Sequence, residues 1–210
     1  DYSTSQPLQL IEPEAKEQSE MNIQAQKLRE LLASDTIATA VGVYDGFTAK
    51  LVEQAGFDVA LISGAAVATS LQGLPDNGMI TLTEMADAAK RISSCVNIPV
   101  IADADNGYGN ALNVRRTVQE FELGGCAALQ LEDQAFPKKC GHMDGKQVIP
   151  TIEHCRKIEM AAATRKEILI LARTDAATVT GIDDAINRVN EYAKAGADFV
   201  IVDAPRTVED

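Results

Sequence analysis

The chain has 210 residues with 31 acidic against 19 basic side chains, a formal charge of −12 that argues against nucleic acid and other polyanionic partners. An apolar share of 46% with only 4% aromatics and no Trp supports a sizeable aliphatic core and lies far from the composition of a disordered chain. The longest apolar runs, Ile168–Ala172 and Phe199–Val202, fall well short of the ~18 residues of a membrane span, so no membrane partner is expected.

In chain order, Asp1–Glu20 holds five acidic residues, one Lys and two Pro without a periodic apolar face, and reads as a flexible acidic arm. It lacks a basic and apolar signal pattern, and the absence of an initiator Met fits a processed protein or an excerpt. Residues 21–210 read as one domain. Ile23, Leu28, Leu31 and Leu32 predict a helix over 24–32 that ends near Ser34. Short apolar segments then alternate with amphipathic ones, predicting strands at 39–44, 59–63, 100–103, 128–132, 168–173 and 199–203, each followed by a helix. Gly56, Gly125 and Gly196, 69 and 71 residues apart, each sit where a helix should end before a strand. Four scattered cysteines without CxxC pairs read as thiols of a reducing compartment, the cytoplasm or an organelle matrix.

Polar residues gather where the strands stop: Asp45, Ser63 with Gly64, Asp103 with Asp105, Glu132 with Asp133, Arg173 with Asp175, and Asp203. A doubly wound sheet collects its ligand groups at one switch point, whereas nearly every strand here delivers one, which favours a (βα)8 TIM barrel. Six strands do not close such a wall, so two further βα units and a closing helix, roughly 70 to 90 residues at the usual ~30 per unit, are expected beyond Asp210.

Asp103 and Asp105 stand at i and i+2 on a strand leaving the sheet and, with Glu132 from the next strand, supply the oxygens that Mg²⁺ takes directly or through water. Gly107 comes one residue too early for an EF-hand, and helix-capping Asp residues in a Gly-rich loop are the competing explanation. Lys138, Lys139, Cys140 and His142 pack cations, a thiol and an imidazole into one loop. Neighbouring positive charge makes such a thiol a usable proton donor, against an incidental Cys in an exposed basic loop. Zinc is disfavoured, because Cys140-x-His142 lacks a second ligand pair. Cys95, Cys126 and Cys155 read as packing residues, and His154, in a polar helix, as a surface residue. The loop from Ser63 through Gly64 and Ala65, with Asp76 further on, offers donors for an anionic carboxylate. Arg173 on an apolar strand needs a carboxylate, either a ligand's or that of Asp175 or Glu132.

The run Lys138-Lys-Cys-Gly-His-Met143 resembles the signature loop of the isocitrate lyase / phosphoenolpyruvate mutase superfamily. Gly42-Val-Tyr-Asp-Gly46, Ser63-Gly64 with Gly73-Leu-Pro-Asp76, Asp103-Ala-Asp-Asn-Gly-Tyr-Gly109, Leu131-Glu-Asp-Gln134 and Ala172-Arg-Thr-Asp175 match in order, so the similarity covers about residues 22 to 205. The pattern is closest to the short branch with 2-methylisocitrate lyase, dimethylmalate lyase, oxaloacetate hydrolase and the petal death protein. The resemblance implies a Mg²⁺-dependent barrel enzyme, with Mn²⁺ as a substitute, that acts as a homo-oligomer (dimer or tetramer) on a small-molecule carboxylate. By position, Asp103, Asp105 and Glu132 would hold the metal and its waters. Tyr44, Ser63, Gly64, Ala65, Asp76, Gly141 and Arg173 would meet the substrate. Lys138, Cys140 and His142 would sit on a gating loop, with Cys140 giving the proton and Lys138, His142 and Arg173 completing the catalytic set. The implied reaction is carbon–carbon cleavage of a 2-hydroxy di- or tricarboxylate of the 2-methylisocitrate or 2-alkylmalate kind. Oxaloacetate hydrolysis, a phosphonomutase and a non-catalytic scaffold are the rivals in that order. Departures from the pattern are Asp203, where relatives carry Glu, and Ala65-Ala66 in place of a Gly-rich stretch.

Overall fold

A computed structural model describes residues 22–207, 209 and 210; the expected acidic arm lies outside them. Seven α-helices and six strands alternate among the described residues: α1 (Ile23–Leu32), β1 (Ala40–Val43), α2 (Gly46–Gln54), β2 (Val59–Ile62), α3 (Gly64–Gln72), α4 (Leu82–Ser93), β3 (Val100–Asp103), α5 (Ala111–Leu123), β4 (Ala128–Glu132), α6 (Thr151–Thr164), β5 (Leu169–Thr174), α7 (Ile182–Lys194) and β6 (Phe199–Val202). Each expected strand is present, trimmed or shifted by a residue where side-chain pattern and ladder ends differ. One expectation fails. The segment after Ser63 is α3, not a loop, because the Ser63 hydroxyl caps it by accepting from the Ala66 N–H at 3.3 Å and the small residues that follow propagate it. Gly56, Gly125 and Gly196 do close helices, at φ of +82°, +82° and +110°.

All six strands are parallel and hydrogen-bonded in chain order, β1 to β6. No switch point interrupts that order, so the arrangement is the open arc of a half-barrel and not a doubly wound sheet. The side-chain period of two sorts the strand residues. Ala60, Ile62, Val100, Ala102, Leu129, Leu131, Ile170 and Ala172 face the helices, where Phe121, Ile158 and Tyr192 fill the main core. Val59, Ile101, Ala128, Leu169 and Leu171 line the concave face together with Ala25 and Leu28 of α1. The same parity carries Asp103, Glu132 and Arg173 onto the concave face at the carboxyl ends of β3, β4 and β5.

At the opposite end, α1 lies across the residues that lead into β3, β4 and β5. Its side chains reach backbone carbonyls there: Asn22 to Cys126 at 2.9 Å, Gln24 to Val96 at 3.1 Å, Lys27 to Asn97 at 2.9 Å and Arg29 to Glu167 at 3.0 Å. That end is thereby sealed, leaving the strands' carboxyl ends for ligand groups. No helix among the described residues is long and apolar enough to cross a membrane.

Candidate active site

Strand β3 ends in Asp103, whose carboxylate accepts from the Gly64 N–H at 3.1 Å and from the Asp105 N–H at 3.0 Å. The first bond brings the N-terminus of α3 against the acid, and only Gly fits there: a Cβ on Gly64 would lie 2.7 Å from Asp103 Oδ2. Asp105, left-handed at φ +45°, turns its carboxylate towards Lys138, whose Nζ lies 2.6 Å from Asp105 Oδ1 and 2.7 Å from Asp76 Oδ1. Burial, with Asp103 beside it, pushes the Asp105 carboxyl up to about 6 against the pull of Lys138. For Lys138, burial alone would favour the neutral amine. Asp103, Glu132 and Asp105 outweigh it and hold the ammonium above the ordinary lysine range. A cavity of about 680 Å³ opens from Asp105 and Lys138 towards Gly78, Tyr108 and Phe136.

The second half of the site is centred on Arg173. Its guanidinium donates to Asp175 through Nε at 3.0 Å and Nη2 at 2.9 Å, to Asp203 Oδ2 through Nη2 at 2.9 Å, and lies 3.6 Å from Glu132 Oε2. Both pairings weighed from the sequence, with Asp175 and with Glu132, are present, and Asp203 joins them as a third. Burial pushes the Glu132 carboxyl well up, despite Lys138 and Arg173. Burial also raises Asp203, whereas for Asp175 it is outweighed by the bonds from Arg173 and by Lys146, so that carboxyl titrates low.

The segment after β4 covers these groups. Its two arms are tied by a Gln134–Val148 bridge, and the outgoing arm is held in shape by the Gln134 amide, which donates to the Lys139 carbonyl at 2.9 Å and accepts from the Lys139 N–H at 3.0 Å. At the tip Gly141 is buried against Arg173 and Asp203, where any Cβ would collide with both. Cys140 beside it is half-buried, and His142 is exposed.

Asp76, Asp103, Asp105, Glu132, Lys138, Gly64, Gly141 and Arg173, all expected from the sequence, therefore converge. Ser63 and Ala65 serve α3, the former through its capping hydroxyl, while Tyr44 is 38% exposed at the end of β1. His154 corrects an expectation: it is fully buried, its ring edge-on to Tyr192 with centroids 4.5 Å apart. Its face of α6 carries His154, Ile158 and Ala161 at helical spacing, a stripe hidden in the sequence by charged neighbours. Cys126 and Cys155 are buried and Cys95 packs against the core, as expected. Sequence reasoning missed Lys146, a buried cation on Asp175, because an isolated Lys after a Gly carries no pattern.

A divalent cation fits this donor set. Six carboxylates (Asp76, Asp103, Asp105, Glu132, Asp175 and Asp203) meet three cations (Lys138, Lys146 and Arg173), and Glu132 Oε1 is buried without a hydrogen-bond donor. No three Asp, Glu, His or Cys side chains among the described residues are grouped to hold an ion by themselves. Mg²⁺ ordinarily keeps several waters and takes one or two carboxylates.

Comparison with known proteins places the chain. The chain is 45% identical over 188 residues to 2,3-dimethylmalate lyase of Eubacterium barkeri, covering 89% of this chain and 65% of that one. It is 46% identical over 183 residues to 2-methylisocitrate lyase of Aeropyrum pernix, covering 87% and 59%. Oxaloacetate acetylhydrolase bound to the inhibitor 3,3-difluorooxalacetate superposes with a TM-score of 0.86 at 35% identity, over 90% of this chain and 66% of that one. Phosphonopyruvate hydrolase in complex with oxalate and Mg²⁺ does so with a TM-score of 0.80 at 33% identity, over 88% and 64%. The chain spans about three-fifths of the length of the curated relatives it matches. The phosphoenolpyruvate phosphomutase family model matches residues 28–210, and the chain belongs to that family.

Proposed function

We propose that the protein is a Mg²⁺-dependent carbon–carbon lyase that cleaves a small 2-hydroxy di- or tricarboxylate, of the 2-methylisocitrate or 2-alkylmalate kind, to a 2-oxo acid and a carboxylate. The observation that carries the proposal is the seating of Gly141, next to Cys140, on the Arg173 cluster, beside three inward carboxylates of which Glu132 keeps an unpaired oxygen. When bound, Mg²⁺ would supply Lewis-acid stabilisation of oxyanion charge, with Asp103, Asp105 and Glu132 holding it and its waters. Arg173 exchanges part of its carboxylate set for the substrate's 2-oxygen and carboxylate, a fork that matches both. The hydroxyl proton leaves to a cluster carboxylate and the C–C bond breaks. Its electron pair becomes an enediolate on one fragment, while the other keeps the new carbonyl. Cys140, at the tip of the covering segment, returns a proton to the enediolate carbon. The covering segment keeps bulk water from that carbon until the proton arrives. Lys138 fixes the segment's outgoing arm to Asp76 and Asp105. Relatives named as lyases support the class, and the excess of carboxylates supports the metal.

The test is a panel of 2-methylisocitrate, 2,3-dimethylmalate, isocitrate, oxaloacetate and phosphonopyruvate, assayed with Mg²⁺ and after chelation. Metal-dependent cleavage of a 2-hydroxy acid is the expected result. Turnover of oxaloacetate alone would make the protein a hydrolase, and undiminished activity after exhaustive chelation would remove the metal from the proposal.

A further inference from the structure

Lys146 takes no part in the chemistry above, yet its side chain is only 2% exposed. An ammonium is costly to dehydrate, so its partners define its job. Its Nζ donates to Asp175 Oδ1 at 3.1 Å and, in a short contact, to the Gly141 carbonyl oxygen. Asp175 Oδ1 also accepts from Arg173 Nη2 at 2.9 Å, so a single ammonium links the tip of the covering segment to the carboxylate that orients the arginine.

The other ties of the segment act elsewhere. The Gln134–Val148 bridge and the bond from Ala135 N–H to the Gln147 carbonyl at 2.8 Å close its base, and Lys138 anchors the outgoing arm. At the tip the Met143 N–H donates to the Cys140 carbonyl at 2.9 Å, which makes a turn but holds it to nothing. Among the described residues, Lys146 alone donates a hydrogen bond that connects residues 140–142 to the strand ends. Without the cation, the Gly141 carbonyl would face the oxygens of Asp175 with no donor between them, and two acceptors in a buried setting repel.

We infer that Lys146 is the positioning residue that seats Cys140 over the Arg173 cluster. It is placed to do so by the return arm of the same segment, five residues beyond the glycine it grips. The inference rests on the proposed lyase reading only for its consequence in turnover; the seating of the thiol is independent of it.

The experiment compares Lys146→Met, which keeps the length and removes the charge, with Lys146→Arg in the purified protein. The alkylation rate of each cysteine by iodoacetamide is followed by mass spectrometry. Lys146→Met should label Cys140 on the order of tenfold faster, the rise in open population that loss of a charge-assisted hydrogen bond produces. Cys126 and Cys155 should stay protected, and Lys146→Arg should return most of the wild-type rate. Acceleration confined to Cys140, with Cys126 and Cys155 unchanged, reports local opening of the tip and not loss of the fold. Unchanged or slower labelling of Cys140 in a folded Lys146→Met protein overturns the inference. If Lys146→Met loses its fold, with Cys126 and Cys155 labelled too, Lys146→Gln is used instead; should that variant also fail to fold, Lys146 is a folding residue and the inference is wrong. On a substrate from the panel, Lys146→Met should lower kcat more than it raises KM. Faster labelling in a protein that cleaves none of the panel would keep the seating and discard the lyase.

Discussion

Asp103 shows how a residue legible as functional can be misjudged in its setting. The Asp103-x-Asp105 spacing announces two oxygens on one side of a strand, and from the sequence they belong in a wet cleft. In the fold Asp103 is 8% exposed and accepts two backbone N–H groups. The N-terminus of α3 closes on it through Gly64, with Lys138 of the segment after β4 on Asp105 beside it, and no local pattern encodes either long-range contact. Asp103→Ala should therefore cost stability as well as activity. Leaving two buried donors unmet amounts to about 2–4 kcal/mol in urea unfolding, and Asp103→Asn, which keeps an acceptor, should cost roughly half of that. An Asp103→Ala protein with the wild-type urea midpoint would show that those bonds contribute nothing. Cys140 was identified by its company of Lys138, Lys139 and His142, although His142 is exposed and Lys139 is held at the outer arm. Cys140→Ser should fold with an unchanged melting temperature and lose about 10²- to 10⁴-fold in kcat, roughly 3–5 kcal/mol of barrier, with wild-type turnover as the result that would remove the thiol from the mechanism.

Among the elements, the strands were the easiest to read. Short aliphatic runs of period two, closed by a Gly-ended helix before and a charged residue after, admit few alternatives. The helices were harder. α3 resembles a loop because Gly64-Ala-Ala-Val-Ala has no amphipathic contrast, and the buried face of α6 is masked by Glu153, Arg156 and Lys157. The cost of that buried face is measurable. Burial, with Lys157 and Arg188 nearby, pushes the His154 imidazolium down from 6.5 to about 3, and neither ring nitrogen has a hydrogen-bond partner. The ring is neutral in the fold and protonates readily once the chain unfolds. Between pH 6.5 and 3 the unfolded state thus binds the extra proton, and stability falls as pH falls through that window. At pH 5 the loss from this one residue is about 2 kcal/mol. His154→Phe keeps an aromatic edge on Tyr192 and should narrow the difference in unfolding free energy between pH 7 and pH 5 by that amount. Equal pH sensitivity in the two proteins would mean that the ring is solvated or paired.

For the whole molecule, the arc of six parallel strands presents free hydrogen-bonding edges on β1 and β6 among the described residues, with Val200 and Ile201 of β6 39% and 41% exposed. Unpaired strand edges with apolar side chains recruit further strands. Closing an eight-stranded wall would take two more strands between β6 and β1. The 210-residue chain on its own should therefore self-associate, and sedimentation at tens of micromolar should show species heavier than 22.4 kDa. Lys substitutions at Val200 and Ile201 should shift the distribution towards monomer. A wild-type chain that sediments as a single 22.4 kDa species would mean that the edges are protected by some other means.

The position of α1 also dictates an order of events in time. Its side chains grip carbonyls that lie 69 to 138 residues further along the chain, just ahead of β3, β4 and β5. During synthesis this helix leaves the ribosome before β3, β4 and β5, and its docking surface does not exist until β5 has emerged and paired. Ten residues of helix are marginal in water without tertiary support, so α1 waits as nascent chain. Pulsed hydrogen exchange during refolding should accordingly find the amides of residues 27–32 protected later than those of β3 and β4. Simultaneous or earlier protection would show that α1 forms, and finds a partner, by another route.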